Sequence, residues 1–164
     1  MAANNDPPLI SAVLAEDIVE CRRLIDTGEA NVNVDRGQDG WTALHYASLI
    51  GNLEISELLT SSGADVNIRG SYGWTALHYS SRYGYLEIVQ LLLCQGADIS
   101  IRGNDGRTAL DEASSFGRLK EVADCLRKWP WTMAIIIALK ENLAIYHLLD
   151  ASTIIDFWHY LGNQ

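Results

Sequence analysis

The chain has 164 residues, 48% of them hydrophobic, and a formal net charge of −9. That acidity opposes a phosphate backbone, so nucleic acid is not expected as a direct partner. The three cysteines, Cys21, Cys94 and Cys125, are widely spaced and form no C-x-x-C, which points to reduced, buried or partly buried thiols and an intracellular setting, cytoplasmic or nuclear.

The first residues, M-A-A-N-N-D-P-P (Met1 to Pro8), lack the positive and apolar regions of a secretion signal. Pro7 and Pro8 precede the first helix, where proline is tolerated, and a helix pair is expected over about 9–26. Leu24, Ile25, Ala30, Asn31, Val32 and Asn33 echo Leu58, Leu59, Ala64, Asp65, Val66 and Asn67 at an offset of 34. Asp17 stands where later units have a turn glycine.

Three copies of one phrase follow: D-G-W-T-A-L-H from Asp39, Y-G-W-T-A-L-H from Tyr72 and D-G-R-T-A-L-D from Asp105, at intervals of 33 residues. Gly51, Gly84 and Gly117 keep the same step, as do Gly63 and Gly96. A fixed period of this length marks stacked units that cannot bury their apolar faces alone. Within a unit, Thr42 is a helix N-cap type, and Ala43, Leu44, Ala47 and Ser48 follow it on a short first helix. Gly51 and Asn52 then stop the helix. Leu53, Ile55, Leu58 and Leu59 have the spacing of a second helix, and G-A-D-V-N-I (Gly63 to Ile68) runs on into a turn. The repeat places helix pairs at about 42–60, 75–93 and 108–126, with hairpins near 33–41, 66–74 and 99–107.

The T-A-L-H-Y-A block, the helix-turn-helix and the G-A-D-V-N ending at this period resemble the ankyrin repeat, across roughly residues 39 to 126. The resemblance implies an all-α ankyrin-repeat solenoid of about five stacked helix-turn-helix units joined by short β-hairpin loops. The units would be a degenerate N-terminal repeat (1–38), central repeats (39–71, 72–104 and 105–126) and a degenerate C-terminal capping repeat plus terminal helix (127–164).

In the last segment, Asn142, Leu143, Ile145, Leu148 and Leu149 lie over Asn52, Leu53, Ile55, Leu58 and Leu59 at a shift of 90, so nine residues are missing between Leu126 and Thr132. Trp129 and Pro130 are expected to make a short connection in place of a hairpin, ahead of a helix pair at about 132–149. Thr153 and Asp156 read as the start of a further helix, with Ile154, Ile155, Phe157, Trp158 and Leu161 as its apolar face. The most apolar run, Met133 to Leu139, is too short to span a bilayer, so membrane insertion is not expected.

His45 and His78 form the one repeated titratable pair. Neighbouring helices pack roughly 8–10 Å apart, too far for two equivalent imidazoles to share a zinc ion bound at about 2 Å. The resemblance instead gives Thr and His a structural role, tying the helix start to the next loop. Asp111 replaces the histidine in the fourth unit and implies a weaker tie. His147 and His159 lack ligand partners at metal spacing, and no nucleophile, P-loop or paired-histidine motif is present. No catalytic residue, metal site or cofactor is therefore expected. Asn67 sits in a sequence context like that of hydroxylated ankyrin asparagines, although the turn itself calls for asparagine.

The resemblance also implies that partners contact the hairpin tips and the exposed side of each first helix, which line a concave face. By position these residues are Gln38, Asp39, Trp41, Leu49 and Ile50; Ser71, Tyr72, Trp74, Arg82 and Tyr83; and Asn104, Asp105, Arg107, Ser115 and Phe116. Trp, Tyr and Arg, the types enriched at binding hot spots, recur among them. The alternative is that Trp41 and Trp74 pack on each other and merely stiffen the array. The function expected is binding of another protein by a monomeric scaffold or adaptor. A stoichiometric inhibitor of a kinase or transcription factor, and a substrate adaptor recruiting through its aromatic tail, stand as alternatives. The acidity of the whole chain favours partners with basic patches.

Overall fold

A computed structural model describes residues 7–35, 39–115 and 120–141. The described residues form eight helices: α1 (Pro8–Leu14), α2 (Ile18–Asp26), α3 (Ala43–Ile50), α4 (Leu53–Ser61), α5 (Ala76–Tyr83), α6 (Leu86–Cys94), α7 (Ala109–Ser115) and α8 (Lys120–Glu141). First helices stack on first helices, α1 on α3, α3 on α5 and α5 on α7, and second helices on second, α2 on α4 and α4 on α6. This is an all-α repeat solenoid. The chain divides into two compact units, Met1–Arg127 and Lys128–Gln164.

Each helix pair forms for local reasons. Thr42 and Thr75, in extended backbone, start α3 and α5. Asp17 and Asn52 accept the Glu20 and Ile55 amides at 3.0 Å to start α2 and α4. Gly51 ends α3 at φ 81°, a left-handed conformation that costs glycine nothing, and the Tyr85 ring lies where a β-carbon would be, 2.5 Å away. Between the two layers, Leu44, Ile55, Leu59, Leu77, Ile88, Leu92 and Leu93 are almost wholly buried, and truncating one such side chain costs about 2–5 kcal/mol.

The linkers are lighter than full hairpins. Among the described residues the β-pairing is an isolated antiparallel bridge, Asp35 with Thr42. The tips are tight turns: the Gly70 amide donates to the Trp74 carbonyl at 2.9 Å, and the Gly103 amide to Arg107 at 2.8 Å. Asparagine side chains join successive turns. Asn33 donates to the Gly63 carbonyl and accepts the Asp65 amide, and Asn67 does the same with Gly96 and Asp98.

The first unit departs from the others in two ways. The left-handed turn residue is Glu16, at φ 54°, and Asp17 is the cap of α2 rather than a substitute for glycine. Aligning α2 and α4 by their caps sets Glu20 and Arg23 against the buried Ile55 and Leu58. Arg23 bridges Glu20 and Glu29, each at 2.8 Å, and holds both carboxyls below the usual carboxylate range. Charge therefore stands where an inner unit is apolar.

The connection expected at Trp129 and Pro130 is absent, because α8 runs unbroken from Lys120 to Glu141 through Pro130. Proline removes one backbone donor and crowds the carbonyl four residues earlier. Helices α1 to α6 stop at glycine or a short polar turn, however, and residues 120–141 contain no glycine, so a single proline does not end the helix. The residues of the expected second helix of a fifth unit, 142–149, and those of the terminal helix, 153–161, lie outside the described residues.

Candidate protein-binding face

Two tie points fix the hairpin tips. The His45 Nδ1 accepts the Thr42 amide at 3.1 Å, which leaves the proton on Nε2 for the carbonyls of Ile68 and Trp74, both at 3.1 Å. His78 repeats this with the Thr75 amide and the Arg107 carbonyl, each at 3.2 Å. Burial holds both imidazoles below the usual histidine range, neutral as this tautomer requires. In the fourth unit the Asp111 carboxylate accepts the Thr108 amide and hydroxyl at 2.9 and 2.8 Å. The local cap survives there, but a carboxylate has no proton to pass to a further loop.

The aromatic residues are not loose on this frame. Trp41 and Trp74 are both partly buried, and both pack on Tyr79, with centroids 4.7 and 5.1 Å away. Tyr46 lies 5.0 Å from Trp41, and His78 stacks on Trp74 at 5.8 Å. Each tryptophan also lies against the glycine of the next tip. A β-carbon on Gly70 would meet the Trp41 ring at 3.0 Å, and one on Gly103 the Trp74 ring at 2.6 Å. The two tryptophans thus pack on a shared tyrosine rather than directly on each other. Tyr79 is 4% exposed, burial pushes its phenol far above the usual range, and its hydroxyl has no hydrogen-bond partner among the described residues.

Arg82 lies over the Trp74 ring, 5.4 Å from its centroid. The Arg82 guanidinium also reaches the Glu112 carboxylate at 2.8 Å, and the Arg107 Nε approaches the other Glu112 oxygen at 3.1 Å. Glu112 is fully buried on α7. Arg107 further donates to the Asp111 carbonyl at 3.3 Å and to the Ser115 hydroxyl. The tips interlock as well: the Ser71 amide donates to the Asp39 carbonyl and the Asn104 amide to the Tyr72 carbonyl, both at 2.8 Å.

Of the residues expected from sequence, Trp41, Trp74, Arg82 and Arg107 are thereby brought together through Tyr79 and Glu112. Tyr72 and Tyr83 are the exposed aromatics, at 65% and 50%. Tyr83 stacks on Tyr85 at 6.2 Å. Leu49 and Ile50 are partly buried at the end of α3, and Asp39 and Asp105 are exposed at tips. Gln38 and Phe116 lie outside the described residues. Sequence reasoning passed over Tyr79 and Glu112. Their signal was a coupled exchange at the repeat interval: Trp41 with Tyr46 and Trp74 with Tyr79 become Arg107 with Glu112, an aromatic pair replaced by an ion pair.

Burial pushes the Cys21 and Cys125 thiols up to about 11, and raises that of the exposed Cys94 as well. No group of three or more His, Cys, Asp or Glu side chains among the described residues is placed to hold a metal ion. No helix among them is long and apolar enough to cross a membrane.

Comparison with known proteins gives matching results. Residues 1–70 match a family model described as ankyrin repeats in three copies, and residues 72–104 match that of a single ankyrin repeat. The chain is also similar to the 2-5A-dependent ribonuclease of Mus musculus, 40% identical over 65 residues, which is 40% of this chain and 9% of that protein. With the Homo sapiens 2-5A-dependent ribonuclease it is 40% identical over 68 residues, 42% of this chain and again 9% of the relative. The chain thus spans about a tenth of the length of these curated relatives.

Proposed function

The chain belongs to the ankyrin-repeat family, and from that premise we propose that it is a non-catalytic module binding another protein through the hairpin tips and first helices of units two to four. Ankyrin repeats generally mediate protein–protein interaction. The observation that carries the reading here is the contrast between Tyr72 and Tyr83, 65% and 50% exposed, and the rigid frame that holds them. The tips are fixed by the histidine ties and by bonds from tip to tip, so a partner docks on a surface already ordered. Preorganisation of this kind lowers the entropy lost on binding, and exposed tyrosines beside arginine and tryptophan are the types that act as hot spots. We read the likeness to the ribonucleases as one of repeats, since it falls on 9% of their length.

The test is an affinity capture with the intact chain, with captured proteins identified by mass spectrometry and remeasured against Tyr72→Ala and Tyr83→Ala. A true partner loses roughly tenfold or more in affinity with at least one variant. A partner that binds both variants as it binds the parent chain uses another face. Whether the bound partner keeps its own activity then separates a scaffold from an inhibitor.

A further inference from the structure

The turns that join each first helix to its second helix form an edge of the array, at the opposite end of the helices from the tips. Contacts run along it from unit one to unit three. The Glu16 carboxylate accepts the Asn52 side-chain amide at 3.2 Å, and the Tyr85 ring lies 2.5 Å from where a β-carbon on Gly51 would stand. Tyr83 stacks in turn on Tyr85 at 6.2 Å. Leu14 is 43% exposed on this edge, Val19 75% and Tyr83 50%, and Leu49, Ile50 and Tyr85 are partly exposed. Exposed apolar surface gathered along one side in this way marks an interaction site.

The same edge is acidic. Residues 14–20, 49–55 and 82–88 carry five carboxylates, Glu16, Asp17, Glu20, Glu54 and Glu87, against one arginine. That arginine, Arg82, is turned to the Trp74 ring and to the buried Glu112. Widening the count around α2 and α4 adds Arg22 and Arg23 against Glu29 and Glu57 and leaves the balance where it was. In the corresponding stretch of unit four, 115–121, Arg118 and Lys120 stand against Glu121, so the acid excess belongs to units one to three. Glu16 and Asp17 accept bonds from neutral amides, which orient a carboxylate without cancelling its charge. Glu54 and Glu87 are exposed at the second positions of α4 and α6, one repeat apart. The tips and first helices differ, since Arg69, Arg82, Arg102 and Arg107 are matched there by Asp39, Asp105, Asp111 and Glu112.

We infer that this edge takes a basic amphipathic helix of a partner protein, its apolar stripe on Leu14, Ile50 and Tyr83 and its Lys or Arg residues toward Glu16, Glu54 and Glu87. The inference rests on the protein-binding reading above and gives that partner a chemistry and a place. Stacked helices lie roughly 8–10 Å apart, and seven residues of an α-helix advance about 10.5 Å. A helix laid along the edge therefore brings one apolar residue every two turns to one unit after another, and a cation beside it to the glutamate of the same unit. The apolar contacts supply most of the affinity. The carboxylates along the rim speed encounter with a cationic segment and make binding depend on salt.

The experiment is selection of a displayed library of random hexadecapeptides on the intact chain at near-physiological salt, followed by calorimetric titration of an enriched peptide and of the same peptide with a central proline. The expected consensus sets Lys or Arg beside apolar residues at helical spacing, and the proline abolishes binding. Leu14→Ser and Tyr83→Ala are each expected to weaken the peptide by roughly tenfold. Glu54→Gln combined with Glu87→Gln is expected to reduce the fall in affinity with added salt. All four side chains are exposed, so these variants keep the fold. An acidic consensus overturns the inference. So does a peptide that tolerates the proline, and so do basic peptides indifferent to Leu14→Ser and to the glutamine pair. Where such peptides still lose binding with Tyr72→Ala, at the tip before α5, the protein-binding reading stands and the edge falls. Peptides indifferent to every variant, Tyr72→Ala included, overturn both, and selection without any consensus counts against both. A chain that sediments as a dimer, and as a monomer with Leu14→Ser, makes a second copy the occupant and overturns the inference as well.

Discussion

Glu112, buried on α7, holds the Arg82 guanidinium of α5 at 2.8 Å, joining the third unit to the fourth. Arg82 and Arg107 are respectively 35% and 39% exposed, so each retains access to water if the pair is broken, whereas Glu112 does not. Loss of an arginine should therefore cost more than loss of the acid. We expect Arg82→Ala to destabilise by about 3 kcal/mol and Glu112→Ala by about 2 kcal/mol, the lower values reflecting partial exposure. The double variant should cost less than the two singles combined. Urea denaturation of the full cycle measures the coupling, and simple additivity would show that the pair contributes nothing.

Trp74 and Tyr83 should behave differently although both were expected to bind a partner. Trp74 packs on Tyr79, on His78 and over Gly103, so Trp74→Ala is expected to destabilise by about 2 kcal/mol, below the cost at a fully buried site. Tyr83 is half exposed, and Tyr83→Ala should change stability by less than about 1 kcal/mol. Thermal unfolding of both variants decides this, and it makes Tyr83 the cleaner probe of binding.

Acidification should weaken the array in a defined window. Burial holds His45 and His78 below the usual imidazole range, so the unfolded chain takes up protons first. The stability linked to these residues is complete above the unfolded value of about 6.5 and is lost as pH falls through it toward the folded values. Protonation at Nδ1 also breaks the cap to the Thr42 or Thr75 amide. The urea midpoint should drop between neutral pH and about pH 5, and His78→Asn should show a smaller drop from a lower starting stability. Asp111, its carboxyl lowered by bonds from Thr108, adds a loss of the same sign at more acid pH.

Glu16 is a non-glycine residue at φ 54°, a conformation that costs roughly 1–2 kcal/mol for a side chain. Its carboxylate accepts one exposed bond from Asn52 at 3.2 Å, which recovers little. Glu16→Gly is expected to raise stability by about 0.5–1 kcal/mol, once the extra freedom of glycine in the unfolded chain is set against the relieved strain. Chemical denaturation checks it, and an unchanged or lower midpoint would show that the turn is not strained.

What the sequence determined by itself was the repeat. The interval of 33, the helix pairs, the threonine-led caps (with His45 and His78, then Asp111) and the turn glycines are signals within a few residues of one another, written three times, and closely similar local chemistry produces the same element each time. Tertiary structure decided what the variable positions do. Trp41 meets Tyr79, Trp74 meets Gly103 and Arg82 meets Glu112 across the interface between units. Whether a tryptophan on the tips is an anchor for a partner or a wall of the array depends on a neighbour some thirty residues away, which no local pattern specifies. The same holds for α8, where the absence of a stop signal carried the helix past a proline that read locally as a break. Burial belongs to the stack and not to the unit, so it becomes visible only when one unit is set on the next.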